Sequence, residues 1–328
     1  MSRYVVPTIR SSFHGSFDRD RPPLLEIESG DTVVLQTLDA SWNRNGRAHG
    51  LGLEWLTAEE TTEPGQALTG PIYARGAEPG DALQVAIDRV VPVHGGWTWA
   101  GPRPWNQRYS MDLDEEVLVL WDFDLERGRA LDRNGPGVSV PLRPFLGVMG
   151  NALSEPGRHP TAPPRRVGGN LDCRELVAGS ELLLPVEVDG ALFSAGDGHA
   201  AQADGELAQT AIECAMERVE LTFRVLKGGG DRLSGPQATT PAGYVCMAVA
   251  DTLDNAAPQA VAAMLDYLQH THGLSRANAM VLATVAVEMR VTQVVNGVVG
   301  VHALLRRDAF RIERSSSTRF SRRRSATG

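Results

Sequence analysis

A mainly β fold with a helical segment near the C-terminus, α+β in the broad sense, is what this sequence predicts. Short runs alternate apolar and polar residues through the first two-thirds of the chain. Turn-formers separate them, with 34 Gly and 20 Pro in 328 residues. After residue 254 the apolar spacing changes from two to three and four. Short strands between Gly and Pro turns point to sandwiches or barrels.

The elements follow in order. "DTVVLQTLDA" (31–40) opens on β-branched residues after the turn signal "ESGD". "DALQVAIDRVVPV" puts Leu83, Val85 and Ile87 on one face and Gln84 and Asp88 on the other. "EEVLVLWDFD" ends at "RGRA". "SELLLPVEV" stops at Asp189-Gly190, a hairpin pair that predicts "ALFSAGD" as its returning strand. "MERVELTFRVL" turns Val219, Leu221, Phe223 and Val225 inward. "NAAPQAVAAMLDYLQHTHG" is helical, with Val261, Met264, Leu265 and Leu268 on one face, Pro258 early and Gly273 at the C-cap. "SRANAMVLATVAVEM" reads as a second helix capped by Ser275, and "RVTQVVNGVVGVHALL" returns to strand. The pattern divides the chain into an N-terminal β-rich domain (1–150), a second β-rich part (151–253), an α+β segment (254–310) and a basic tail (311–328) expected to be disordered.

The net charge is −8, yet the last eighteen residues hold six Arg and one Glu, so the body is more acidic than the whole. An acidic body argues against nucleic acid as a partner. Three cysteines without a CxxC pair suit free thiols in a reducing compartment. No apolar run approaches a membrane span or a leader's apolar core. The expectation is a soluble cytoplasmic protein that binds neither membrane nor nucleic acid.

GxSxG, HExxH, Walker and GxGxxG motifs are absent. Three polar stretches remain: "LDASWNRNG" with Asp39, "GGNLDCREL" with Asn170 and Asp172, and "GDGHAAQADGE" with Asp197, His199, Asp204 and Glu206. Taken singly each reads as a turn. Taken together, carboxylates and one imidazole on small-residue loops are the donor set of a divalent-metal site. A metal with an open position lowers the pKa of bound water to about 7, and a spare carboxylate then serves as base.

"GPIYARGAEPGDALQVAI", "PFLGVMGNAL", "PPRRVGGNLDCREL", "LLLPVEVDGALFSAGDGHAAQADGE" and "TAIE" occur in the order that resembles the acetamidase/formamidase family, and "ANAMVLATVAVEMRVTQVVN" is similar to its closing segment. The resemblance spans about residues 5 to 310. It implies a jelly-roll-like β-sandwich, a small β-barrel and a C-terminal α+β segment with two helices. It also implies hydrolysis of a small aliphatic amide to carboxylate and ammonia, a divalent metal, zinc foremost, and a homo-oligomer. Calcium and manganese suit the same donors. The chain departs from the family pattern at Gln66-Ala67-Leu68-Thr69, where a His is usual, and after Asp39, where Trp42 and Arg44 stand in place of smaller residues. Trp97, Trp99 and Trp105 lie in a further segment that could lead a larger amide inward.

On these grounds Asp39, Asp172 and His199 are the expected metal ligands, and Glu206 the base, with Asp197 and Asp204 as rivals for that role. Asn170 is expected to bind the amide or oxyanion, and Asp197 to orient His199. His49 is a weaker candidate, and Cys173 a weaker nucleophile. The alternatives are an amide hydrolase specialised for a biosynthetic pathway and a metal-dependent binding module without turnover.

Overall fold

The computed structural model describes residues 1–51, 63–102 and 113–311. Trp105 and nearly all of the basic tail lie outside them.

Two large sheets face each other. One has nine strands, in the order Arg3–Val5, Thr32–Thr37, Met216–Leu226, Ala82–Pro92, Ser180–Pro185, Gln237–Thr239, Gly243–Ala250, Val299–Arg306 and Val287–Gln293. The other has six, ordered Gly168–Asn170, Phe145–Gly150, Phe193–His199, Leu68–Ala74 and Phe13–His14, with Leu25–Ile27 also pairing Leu68–Ala74. A four-stranded sheet built from Gly95–Ala100, Val117–Asp124, Arg129–Asp132 and Ser139–Pro141 stands beside them.

The inward residues of the two sheets share one core. Leu83, Val85, Ile87, Val219, Leu221 and Phe223 meet Ile72, Leu146, Met149 and Phe193. Phe193 and Phe223 cross the sheets edge to face, centroids 5.2 Å apart. These are the alternating positions read from the sequence, because every second side chain of a strand faces the same way.

The helix Leu253–His272 lays Ala256, Ala260, Met264, Leu265 and Leu268 on Cys246, Val301 and Ala303 of the nine-stranded sheet. Thr252 caps it, accepting from the Asn255 amide, and Gly273 closes it at φ 66°. It starts two residues before the helical run read from the sequence, which began at Asn255. Ser275 caps the second helix, Arg276–Ala286, as expected.

One expectation fails. Ser180–Pro185 and Phe193–His199 do not form a hairpin: the first pairs with Ala82–Pro92 in the large sheet, and the second with Phe145–Gly150 and Leu68–Ala74 in the smaller one. Gly190, Ala191 and Leu192 are consecutively left-handed, at φ 71°, 59° and 52°, and hand the chain from one sheet to the other. Gly190 is required there, since a Cβ would meet the Tyr73 ring at 2.1 Å.

Candidate active site

The six-stranded sheet ends in a buried polar cluster. Phe193–His199 delivers Asp197 and His199 on alternate positions, so both side chains reach the same face. Its neighbour Phe145–Gly150 supplies the floor at Gly147. The turn after Gly168–Asn170 carries Asp172, whose amide, with that of Leu171, donates to the Gly147 carbonyl at 3.2 and 2.8 Å. Glu206 arrives from the loop after the histidine strand. Glu213 is bridged to His199 and Trp97. Asp172, Asp197 and Glu206 all sit at positive φ, 46°, 60° and 47°, conformations that L residues adopt at a cost of order 1–3 kcal/mol each.

Asp172, Asp197, His199, Glu206 and Glu213 are all buried. Two groups of donor atoms lie within 4.8 Å of one another: Asp172, Asp197 and His199, and His199, Glu206 and Glu213. His199 Nε2 stands 3.5 Å from Asp197 Oδ1 and 3.4 Å from Glu213 Oε1. The other ring nitrogen, Nδ1, is 2.9 Å from Gln202 Oε1, while Gln202 Nε2 donates to the Asp172 carbonyl at 2.8 Å. That carboxamide orientation places a proton on Nδ1 and turns Nε2 toward the carboxylates. Phe145 packs edge-on to the imidazole, centroids 5.1 Å apart. Asn296 Nδ2 donates to Asp172 Oδ2 at 2.6 Å.

Four carboxyl groups share this space with one imidazole. Burial pushes Asp172 up to about 7, with Asp197 adding to it. Burial does the same to Glu213, also to about 7, again with Asp197. Glu206 is raised well above the carboxylate range by burial and by the neighbouring Asp172. Burial pulls His199 down, but Glu213 and Asp197 outweigh it and hold its pKa well above the usual value. Like charges out of water require protons or a cation.

A divalent cation fits these residues on two observations. Asp172 Oδ1, Asp197 Oδ1, His199 Nε2, Glu206 Oε2 and Glu213 Oε2 are buried without a hydrogen-bond partner, which native interiors rarely tolerate. Gly147 leaves a cradle beneath them: a Cβ there would stand 2.7 Å from His199 Cε1, 2.8 Å from Asp172 Oδ1 and 2.8 Å from Asp197 Oδ2.

The cluster opens on a cavity of about 470 Å³ whose wall includes both Gln202 and Glu206. Trp121, Val140, Leu207 and Ile212 make its apolar side, with Arg143, Arg174 and Asp204 also on the wall.

The expected residues are distributed as follows. Asp172, Asp197, His199 and Glu206 come together. Asp197 faces the Nε2 side of His199, so the orienting partner on the opposite nitrogen is Gln202 instead. Asn170 is buried two residues before Asp172, its Oδ1 without a partner. Asp39 lies outside both donor groups, because its carboxylate is already saturated. Oδ1 accepts from the Ser41 amide and hydroxyl and the Asn43 amide; Oδ2 accepts from the Gly46 amide and from Trp97 Nε1 at 3.0 Å. Trp97 in turn exchanges backbone hydrogen bonds with Glu213, so Asp39 braces the site from behind. Trp42 is buried in that brace, donating to the Gly65 carbonyl. His49 is exposed, away from the cluster. Cys173 is fully buried and its thiol is pushed up to about 12 by burial, which removes it as a nucleophile. Asp204 lies 3.8 Å from Arg290.

Gln202, Glu213, Asn296 and Gly147 went unassigned in the sequence. Glu213 carried a signal, a lone carboxylate inside the apolar run "AIECAM". Asn296 was hidden in an ordinary Asn-Gly turn.

A family model described as "Acetamidase/Formamidase family" matches residues 7–159 and 153–306. A formamidase of Methylophilus methylotrophus is 47% identical over 246 residues, covering 59% of this chain and 59% of its own. Alignments with three curated relatives span 65%, 49% and 59% of their lengths, so the chain accounts for about half to two-thirds of each. Among solved structures, a protein of Thermoanaerobacter tengcongensis described as a predicted acetamidase/formamidase superposes with TM-score 0.80 at 25% identity, covering 93% of this chain and 96% of its own. An acetamidase of Bacillus halodurans superposes with TM-score 0.77 at 29% identity, covering 93% and 97%. With a family model that matches most of its length and a fold shared with these solved structures, this chain belongs to the acetamidase/formamidase family.

Proposed function

We propose that the chain hydrolyses a small aliphatic primary amide to its carboxylate and ammonia, using a divalent cation held by Asp172, Asp197 and His199, with Glu213 as a further donor. The observation that carries this reading is Glu206, a carboxyl group shared between the buried donor cluster and the wall of a cavity. Asp39 gives up the ligand role that its position in sequence suggested, and Asp197 takes it.

When bound, the cation acidifies water and polarises the amide oxygen. The remaining work falls to the chain's own residues. Glu206 takes a proton from the water, whose oxygen bonds to the acyl carbon. It returns that proton to the nitrogen as the C–N bond breaks, since nitrogen leaves readily only when protonated. Gln202 holds the His199 ring. The apolar cavity wall excludes water from the acyl chain.

Histidine with carboxylates suits zinc, and manganese next. A homo-oligomer is supported by Met280, Val281 and Val285, exposed on the helix Arg276–Ala286 beside the edge strand Val287–Gln293, where Met289 and Val291 are exposed as well. No described helix is long and apolar enough to cross a membrane.

His199→Ala tests the reading. It is expected to lose both bound metal and ammonia release from formamide and acetamide; a variant retaining both overturns the assignment. Wild-type protein that binds metal but releases no ammonia from any amide is a binding module.

The buried acids also make metal binding pH-dependent. Asp172 and Glu213, whose carboxyls ordinarily titrate at 3.8 and 4.5, are raised to about 7 when folded without metal. The native state therefore holds more protons than the unfolded chain between about pH 4 and pH 7, and metal-free stability falls as pH rises through that window. A cation displaces those protons, so its affinity rises over the same window, about tenfold per pH unit for each proton displaced. Competition titrations at about pH 5 and about pH 8 measure this. Equal affinities would show that no carboxyl proton is displaced.

A further inference from the structure

We propose that the cavity beside Glu206 selects amides whose acyl chain ends in a carboxylate, bound by Arg174: primary monoamides of short dicarboxylic acids. The inference rests on the amidase reading and names its substrate class.

The argument starts from size. A volume of about 470 Å³ lies in the range of ligand pockets, about 300–1,000 Å³, and formamide or acetamide would leave most of it as water against Trp121, Val140, Leu207 and Ile212. An apolar wall next to the reacting carbonyl calls for a methylene chain.

Charge decides what ends that chain. The other charged groups of the wall are already engaged. Arg143 is paired with Glu175 at 2.5 Å, and Arg290 holds the second oxygen of Glu175 at 3.1 Å. Asp204 Oδ2 lies 3.8 Å from Arg290, although its Oδ1 is buried without a hydrogen bond, and Glu206 is turned to the donor cluster. Arg174 differs. It makes no hydrogen bond or ion pair among the described residues, and its Nε is buried without a partner. A guanidinium is always charged and offers donors in a planar fork that matches a carboxylate. Leaving such a donor desolvated and unmatched is unfavourable, and an anionic ligand removes the penalty. Asp204 and Glu206 on the same wall disfavour two charges gathered at the Arg174 end, as in phosphate, which leaves a single carboxylate there as the best match.

The metal-loaded full chain is assayed for ammonia release from the monoamides of succinic, glutaric and adipic acid, against neutral alkanamides of equal chain length. At least one acid amide is expected to exceed its neutral counterpart in kcat/KM by about 10- to 100-fold, the worth of a charge-assisted hydrogen bond of about 1.5–3 kcal/mol. Arg174→Met is expected to collapse that ratio to about one, and Arg174→Lys to restore part of it. Calorimetry with glutarate gives a readout independent of turnover: binding to wild type, lost in Arg174→Met at unchanged thermal stability. Neutral amides turned over as well as acid amides by wild type, or a ratio that survives Arg174→Met, overturns the proposal. Glutarate bound through Arg174 with no ammonia from any amide overturns hydrolysis and leaves the anion site standing.

Discussion

Gly147→Ala is expected to abolish metal binding and, with it, amide hydrolysis, although it adds one methyl group and removes no donor. The new Cβ would lie 2.7–2.8 Å from His199 Cε1, Asp172 Oδ1 and Asp197 Oδ2, nearer than real Cβ atoms come. None of the three can step aside. Asp172 is held by Asn296, His199 by Gln202, and Asp197 by the strand that carries it. Overpacking a filled site costs about 1–3 kcal/mol. Here the strain is relieved by spreading the ligands, and disturbance of ligand placement lowers metal affinity by about 10–100-fold or more. Metal per chain, measured by mass spectrometry after gel filtration, should drop toward zero in protein with wild-type secondary structure. A Gly147→Ala protein with full metal content would place the cation elsewhere.

Glu206→Gln should do the opposite: keep the metal and lose turnover, by about 10²- to 10⁴-fold, the usual contribution of a positioned acid–base group. The substitution is nearly isosteric, and Asp172, Asp197 and His199 remain a complete donor group without it. It also removes one of four buried carboxyls, so the metal-free variant should be the more stable at neutral pH, a sign that a merely structural role would not produce. Loss of metal together with activity would make Glu206 a ligand and send the search for the base to Glu213.

The strands were readable because alternation is local. Leu83, Val85 and Ile87, or Val219, Leu221 and Phe223, declare an inward face whichever strand lies alongside. Caps are local too, so Ser275 and Gly273 mark the helix ends. Pairing is not local. Asp189-Gly190 has hairpin chemistry, yet the flanking strands enter different sheets because Ala191 and Leu192 also turn left-handed, which no propensity announces. The site divides in the same way. Asp172, His199 and Glu206 stood out in Gly-rich polar stretches, each of which alone reads as a turn but which together supply a metal's donors. Asp39 stood out equally and proved to be saturated by five donors from its own loop and Trp97, a difference that only hydrogen-bond geometry reveals. Gly147 sits inside an apolar strand, "PFLGVMG", where its missing side chain looks like ordinary sheet packing.

The hydrogen bond from Asn296 to Asp172 spans 124 residues of chain. Closing loops of that length is slow compared with forming hairpins and helices. Asn296 sits in the turn of the hairpin Val287–Gln293 with Val299–Arg306, so it leaves the ribosome well after Asp172, Asp197 and His199. A nascent chain that has already gathered Asp172, Asp197 and His199 still lacks the amide that fixes Asp172. Complete ligand geometry thus waits for this later hairpin, and the cation should act as a late clamp on a largely folded protein rather than as a nucleus for its folding.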